Sequence, residues 1–308
     1  MRIVFFGTPD FAVPSLRALL GEGFHVVATV TQPDRPRGRS RSRLVPPPVK
    51  TVAIEENLTV LQPDRPADPA FLNAMRALEP DLGVVVAYGH ILTPTLLAVS
   101  RHGMVNVHAS LLPRFRGAAP IQHAILAGCT ETGVSIMQMD AGMDTGGVLH
   151  RAATPVAPDE TAGELQSRLA ELGALALIET LTMVELGKAS PEPQHSADAT
   201  FAPRITRDSA RIDWTRSATD IHRLVRAMDP APGAWTTFQG RDIKLFGPRV
   251  GAWPAATPGE ILDESADLTV ATAQGSVAFA EIQPAGRPRM PAVEWLHGHP
   301  RARGQRFE

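Results

Sequence analysis

Residues 82–87 read Leu-Gly-Val-Val-Val-Ala, with no polar member and no alternation. A strand with one wetted face alternates apolar and polar side chains, so this run predicts a strand covered on both faces, as in a parallel sheet flanked by helices. The neighbouring segments fit the same plan. A largely apolar run at 2–6 ends at Gly7, and Pro14 opens a helical pattern carried by Leu16, Leu19 and Leu20. A second buried strand is predicted over 26–30, a helix over 49–56, a short strand over 58–61 and a helix over 69–78. Beyond a short helix over 94–98, residues 104–108 supply the next strand and Pro120 opens another helix. Residues 132–139 predict a further strand, followed by the glycine-rich turn 140–147 and a strand through Leu149. Leu165, Leu169, Leu172, Leu175, Ile178 and Leu181 then recur at helical spacing over 161–186. Parallel β/α winding is the economical architecture for this order.

The pattern changes at 187–203, where Pro191 and Pro193 sit among polar residues and mark a linker. Short apolar segments at 211–214, 234–238, 243–246, 260–262, 268–271 and 277–282, separated by Gly, Pro or Asp, then predict a small β-barrel with one helix over 218–228. The expectation is a Rossmann-like domain over 1–188, a linker over 189–205 and an OB-like barrel over 206–308.

Composition excludes several classes. No run of about 18 apolar residues suggests a membrane span, and the amino terminus enters a strand without a cationic lead and cleavage site, so a cytoplasmic protein is expected. Cys129 is the only cysteine, which rules out an intramolecular disulfide and a zinc site built from several thiolates. The net charge of -2 is unevenly spread. Arg35, Arg37, Arg39, Arg41, Arg43 and Lys50 face Asp34 alone, a stretch suited to a phosphate-rich partner and equally compatible with solvated surface.

Chemistry concentrates in residues 106–122. Asn106, His108 and Ser110 alternate with Val107 and Ala109, so an extended backbone projects three polar side chains from one face, neighbours roughly 7 Å apart. They lie at a strand's carboxyl end, where open α/β sheets bind ligands. If the glycine-rich turn folds back, Asp144 can orient the imidazole while the Asn106 amide donates to an oxyanion. From these residues alone, a histidine satisfied by a backbone carbonyl, with Asp144 shaping a turn, is an equally open reading. Residues 84–89, Val-Val-Val-Ala-Tyr-Gly, likewise read as an ordinary strand and turn or as the border of a pocket.

Asn106-Val107-His108-Ala109-Ser110-Leu111-Leu112-Pro113, followed by Arg116-Gly117 and Pro120, resembles the signature of the folate-dependent formyltransferases. Phe6-Gly7-Thr8-Pro9-Asp10-Phe11, Thr31-Gln32-Pro33-Asp34-Arg35-Pro36, Glu131-Thr132-Gly133-Val134, Asp144-Thr145-Gly146, Ala210-Arg211-Ile212-Asp213-Trp214 and Gln283-Pro284-Ala285-Gly286 extend the resemblance along the chain, toward the members that act on initiator tRNA. It implies formyl transfer from 10-formyltetrahydrofolate to the α-amino group of methionine on initiator methionyl-tRNA, by a monomer that needs no metal. It also implies catalytic roles for Asn106, His108 and Asp144, and a folate pocket bordered by Val86, Tyr88, Gly89, Ser110, Leu111, Leu112 and Pro113, with Arg116 as an anion or loop anchor. Arg37, Arg39 and Arg41, in a loop that reaches the acceptor end, become tRNA contacts together with Arg204, Arg207 and Arg287. Where the family commonly has lysine, this chain has Arg204 and Arg207, which keeps the charge and changes the hydrogen-bond geometry. Two competing readings are a transferase acting on a nucleotide-linked amino sugar and a catalytically silent RNA-binding protein.

Overall fold

The computed structural model describes residues 1–37, 43–252, 256–263, 267–299 and 302–308. The chain divides into two compact units, one built from Met1–Pro120, Glu131–Pro155 and Gln166–Ala202, the other from Ile121–Thr130, Val156–Leu165 and Pro203–Glu308.

In chain order the elements to the end of the long helix are β1 (Arg2–Gly7), α1 (Val13–Gly21), β2 (His25–Val30), β3 (Arg35–Arg37), β4 (Arg43–Val45), α2 (Pro48–Glu55), β5 (Val60–Leu61), α3 (Pro69–Ala77), β6 (Leu82–Val86), α4 (Pro94–Leu97), β7 (Met104–His108), α5 (Pro120–Leu126), β8 (Glu131–Gln138), β9 (Val148–Pro155) and α6 (Ala162–Glu185). Local chemistry starts several helices. Proline stands in the first turn of α1, α2, α3 and α4, where its missing N–H costs nothing. Asp68 caps α3 by accepting from Ala70, and Thr93 caps α4 by accepting from Leu96.

The first unit carries a seven-stranded sheet in the order β5-β2-β1-β6-β7-β8-β9. Every residue of β6 is buried, as its unbroken apolar run requires. The first five strands of that order run parallel, as expected, but β8 pairs antiparallel with β7 and with β9. The β8–β9 connection is too short for the crossover of a dozen or more residues that parallel neighbours need, so this part of the winding is a hairpin. The chain leaves β1 in one direction for β2 and returns on its other side through β6, which places the topological switch at the carboxyl ends of β1 and β6. There the Thr8 hydroxyl donates to the Tyr88 carbonyl at 2.9 Å, and the Gln32 amide donates to the same oxygen at 3.2 Å.

The second unit adds α7 (Ala218–Met228), β10 (Ala234–Phe238), β11 (Arg241–Gly251), β12 (Ile261–Asp263), β13 (Leu268–Ala271), β14 (Ser276–Pro284), β15 (Met290–Pro291) and α8 (Ala292–His297). Its antiparallel sheet runs β10-β11-β14-β13-β12, with β15 paired to β14. Residues 304–308 reach both edge strands: Gly304 donates to Ile261 of β12, while Glu308 and Thr237 of β10 exchange backbone bonds. One short segment can touch both edges only if the sheet curls, giving the half-barrel. Trp214, Phe279, Phe238, Trp295 and Phe307 are buried there. Residues 211–214, expected as a strand, instead follow a 3-10 turn and make a single bridge from Arg211 to Trp235, because Asp213 folds back on Thr215 in a tight turn. Helix α8 was not expected, since fewer than two turns are too short to show a helical period.

Candidate active site

The site starts at the end of β7. Val105 and Val107 are buried, and Asn106 and His108 share the strand's other face. Val85 pairs with Asn106, so the turn after β6 borders that amide, and His108 pairs with Ser135 of β8. Asn106 is half-buried, and among the described residues its side chain has no hydrogen-bond partner.

The buried His108 is held on two sides. Its Nε2 donates to the Phe115 carbonyl at 3.0 Å, while Nδ1 faces Asp144 Oδ2 at 3.7 Å. The second separation exceeds a direct hydrogen bond and is within ion-pair range. Asp144 takes a left-handed backbone conformation (φ 54°) and its carboxylate accepts from the Gly117 N–H at 2.7 Å. The histidine does satisfy a backbone carbonyl and Asp144 does shape a turn, yet the carboxylate is also aimed at the ring.

Ser110 departs from the expected row. The strand ends at His108, the Ser110 N–H turns back to the His108 carbonyl, and the fully buried hydroxyl donates to the Arg114 carbonyl at 2.6 Å. Its hydroxyl therefore cannot line a cleft in this conformation; it braces the loop. Ser135 completes the brace, donating to the Ser110 carbonyl at 2.7 Å and accepting from the Leu112 N–H at 3.0 Å. Leu112 is buried, while Leu111 and Pro113 are half-buried beside it.

Arg116 is buried as well, with its guanidinium Nε and Nη2 donating to Gln194 Oε1 at 3.0 and 2.8 Å. Of the two roles open to it, this pairing makes it a loop anchor. Gln194 Nε2 in turn donates to the carbonyls of Asp144 and Gly146 at 2.9 and 2.7 Å. Phe115 N–H donates to Thr200 Oγ1 at 2.9 Å, and Arg116 exchanges backbone bonds with Thr200 and Ala202. Residues 192–202, which look like polar linker in the sequence, are thus laced to the site; no local sequence signal separates them from a tether.

Val86, the last residue of β6, is buried; beyond it Ala87 and Gly89 have positive φ (47° and 87°), and the Tyr88 ring lies in the core, edge-on to Phe6 at 5.5 Å. The Tyr88 hydroxyl has no partner among the described residues, and burial pushes its pKa up to about 12. Glycine suits position 89 because φ there is 87°, and an added Cβ would stand 2.4 Å from the Gln32 amide nitrogen and displace that side chain.

The basic candidates fall elsewhere. Arg37 ends β3, which pairs antiparallel with β4 as the stem of the Arg-rich hairpin; Arg39 and Arg41 lie outside the described residues. In the second unit Arg204, Arg207 and Arg287 are exposed. Arg207 stacks on Trp235 at 4.1 Å and pairs with Asp242 at 2.6 Å. Arg289 is committed to Asp229 at 2.8 Å and Glu281 at 2.5 Å.

Residues 1–181 match the sequence model of the formyl transferase family and residues 204–300 that of the formyl transferase C-terminal domain. The methionyl-tRNA formyltransferase of Geobacter sulfurreducens is 45% identical over 97% of this chain and 94% of its own length. That of Thermobifida fusca is 46% identical over 100% of this chain and 99% of its own. In fold the chain is similar to HypX from Aquifex aeolicus, solved in complex with tetrahydrofolic acid (TM-score 0.69, 19% identity, 98% of this chain and 48% of that one). It is also similar in fold to the methionyl-tRNA formyltransferase from Clostridium thermocellum (TM-score 0.58, 14% identity, 92% of this chain and 98% of that one). Gln194 and Thr200 fall between the two matched family regions.

Proposed function

The chain belongs to the methionyl-tRNA formyltransferases, and we propose how its residues divide that family's chemistry. The enzyme transfers a formyl group from a folate-derived donor to the amino group of methionine on its tRNA, for translation initiation. The donor is 10-formyltetrahydrofolate, which supplies the formyl carbon when bound, and the acceptor is initiator methionyl-tRNA. Attack of the amine forms the new C–N bond and turns the formyl carbonyl into an oxyanion. Collapse breaks the bond to the donor nitrogen, which takes a proton as the amine loses one.

The uncommitted Asn106 amide is the observation that carries the assignment, because a preorganised donor without a protein partner is free for a developing oxyanion. His108 supplies the adjacent charge, held through Nε2 by the Phe115 carbonyl. Asp144 faces the ring at 3.7 Å and orients it, and its carboxylate positions a water beside it that relays the proton. The scheme assigns no step to a metal ion.

Position supports the donor site. Val86 ends the strand whose Val85 pairs with Asn106, Tyr88 and Gly89 follow it, and Leu111, Leu112 and Pro113 follow His108, so the two turns flank the amide. Tyr88 contributes backbone, since its ring is in the core, and Ser110 contributes through the loop it braces. Residues 1–188, together with the segment 192–202 laced to them, carry the catalysis, and 206–308 bind tRNA, in a cytoplasmic monomer. Arg37, Arg39 and Arg41 contact the acceptor arm, and Arg204, Arg207 and Arg287 contact the tRNA body.

The test supplies purified protein with a formylfolate donor and offers charged initiator tRNA beside a nucleotide-linked amino sugar. Transfer to the tRNA-borne amine is the expected result. Transfer to the sugar alone, or tRNA binding without transfer, would overturn the reading.

A further inference from the structure

We infer that Gln194 is a positioning residue for formyl transfer, acting through Asp144. All four hydrogen-bonding valences of its amide are used on the site. Nε2 donates to the carbonyls of Asp144 and Gly146, and Oε1 accepts twice from the guanidinium of Arg116. One planar group therefore grips both loops that meet at the Asp144 carboxylate, because the N–H donating to that carboxylate belongs to Gly117, next in chain to Arg116.

The geometry needs such a grip. Asp144 holds φ at 54°, a conformation that a non-glycine residue keeps only when its surroundings over-determine it. Its carboxylate is 3.7 Å from His108 Nδ1, so a rotation of the 144–146 turn would carry the charge away from the ring. The residue that donates to this carboxylate has to be glycine, since φ at Gly117 is 119° and an added Cβ would lie 2.7 Å from the Ala202 carbonyl oxygen. Arg116 is buried with its guanidinium on Gln194, so losing the amide also leaves a charge without this partner. A misplacement of about 1 Å at a reacting group can cost about a hundredfold in rate.

This inference rests on the assignment of Asp144 to the reaction, and its test is a double-mutant cycle of Gln194→Ala with Asp144→Asn. Turnover, KM for the formylfolate donor and for methionyl-tRNA, and thermal midpoint are read for each protein. Gln194→Ala should lower kcat between about tenfold and a hundredfold and leave KM for the tRNA within about threefold. In the double variant the loss should be close to that of Asp144→Asn alone, because residues acting as one unit are not additive. Additive losses, or near-normal turnover of Gln194→Ala, overturn the role of Gln194 while leaving Asp144 in place. Near-normal turnover of Asp144→Asn overturns both. Should Gln194→Ala not fold, Gln194→Glu serves in the same cycle: it keeps an acceptor for Arg116 and replaces the two donations to Asp144 and Gly146 by repulsion, so the same kcat loss is expected.

Discussion

The Gly117 N–H donates to the Asp144 carboxylate at 2.7 Å, across a separation of 27 residues. That bond joins the loop after β7 to the turn between β8 and β9, and it fixes the charge that faces His108.

Asp144→Asn separates the charge from the bond. An asparagine oxygen still accepts from Gly117, so the turn persists, but the imidazole loses its anionic neighbour. Formyl transfer should fall by about 10² to 10⁴, the usual scale for losing an acid–base partner, with the thermal midpoint little changed. Asp144→Ala should in addition lose up to about 1–3 kcal/mol, because the part-buried Gly117 N–H is left without its acceptor. Steady-state kinetics beside thermal unfolding distinguish the two variants.

Asn106→Ala should give the opposite profile from a structural mutation. With no protein partner to lose, stability should stay within about 0.5 kcal/mol. Turnover should drop by about 10² to 10³ if the amide donates to the oxyanion. Wild-type turnover in a well-folded variant would remove Asn106 from the reaction.

Tyr88 makes a pH prediction that is simple to read, because it is the chain's only tyrosine. Burial raises its pKa from 10.0 to about 12, so the unfolded chain ionises first as pH rises. Its contribution is complete below pH 10.0 and is lost progressively as pH climbs toward about 12. Tyrosinate absorbance should appear late in the native protein and early in denaturant. Tyr88→Phe should flatten the alkaline loss and leave neutral-pH stability equal or higher, since the hydroxyl has no partner among the described residues.

Replacing Arg39 and Arg41 together should weaken tRNA binding at low salt and leave donor affinity alone. Every phosphate that these side chains no longer neutralise lowers the log–log salt slope by about 0.7 to 0.9. An unchanged slope in a binding titration would assign these arginines to ordinary surface.

Much of this architecture was legible where side-chain period and burial agree. The unbroken apolar run of β6, the helix α7 and the strands β10 and β13 follow directly from pattern. Strand direction was not, because a hairpin and a crossover present the same apolar residues, and β8 turned out antiparallel. Asn106 and His108 were placed correctly on one strand face, whereas Ser110 was not, since alternation ends with the strand and the hydroxyl serves the loop. Gln194 and Thr200 were invisible for a different reason. Their partners lie far away in sequence, and the proline-rich, polar stretch around them has no period to mark it as packed.

The half-barrel has its own economy of exposed edges. Backbone groups of β10 and β12 that would otherwise offer a template to another chain are occupied by residues 304–308. Those residues are assigned no step in the proposed chemistry, and deleting them strips hydrogen bonds from both strands at once. The expected symptom is self-association of a protein whose remaining soluble fraction still transfers formyl groups, visible as concentration-dependent light scattering and not as a fall in specific activity.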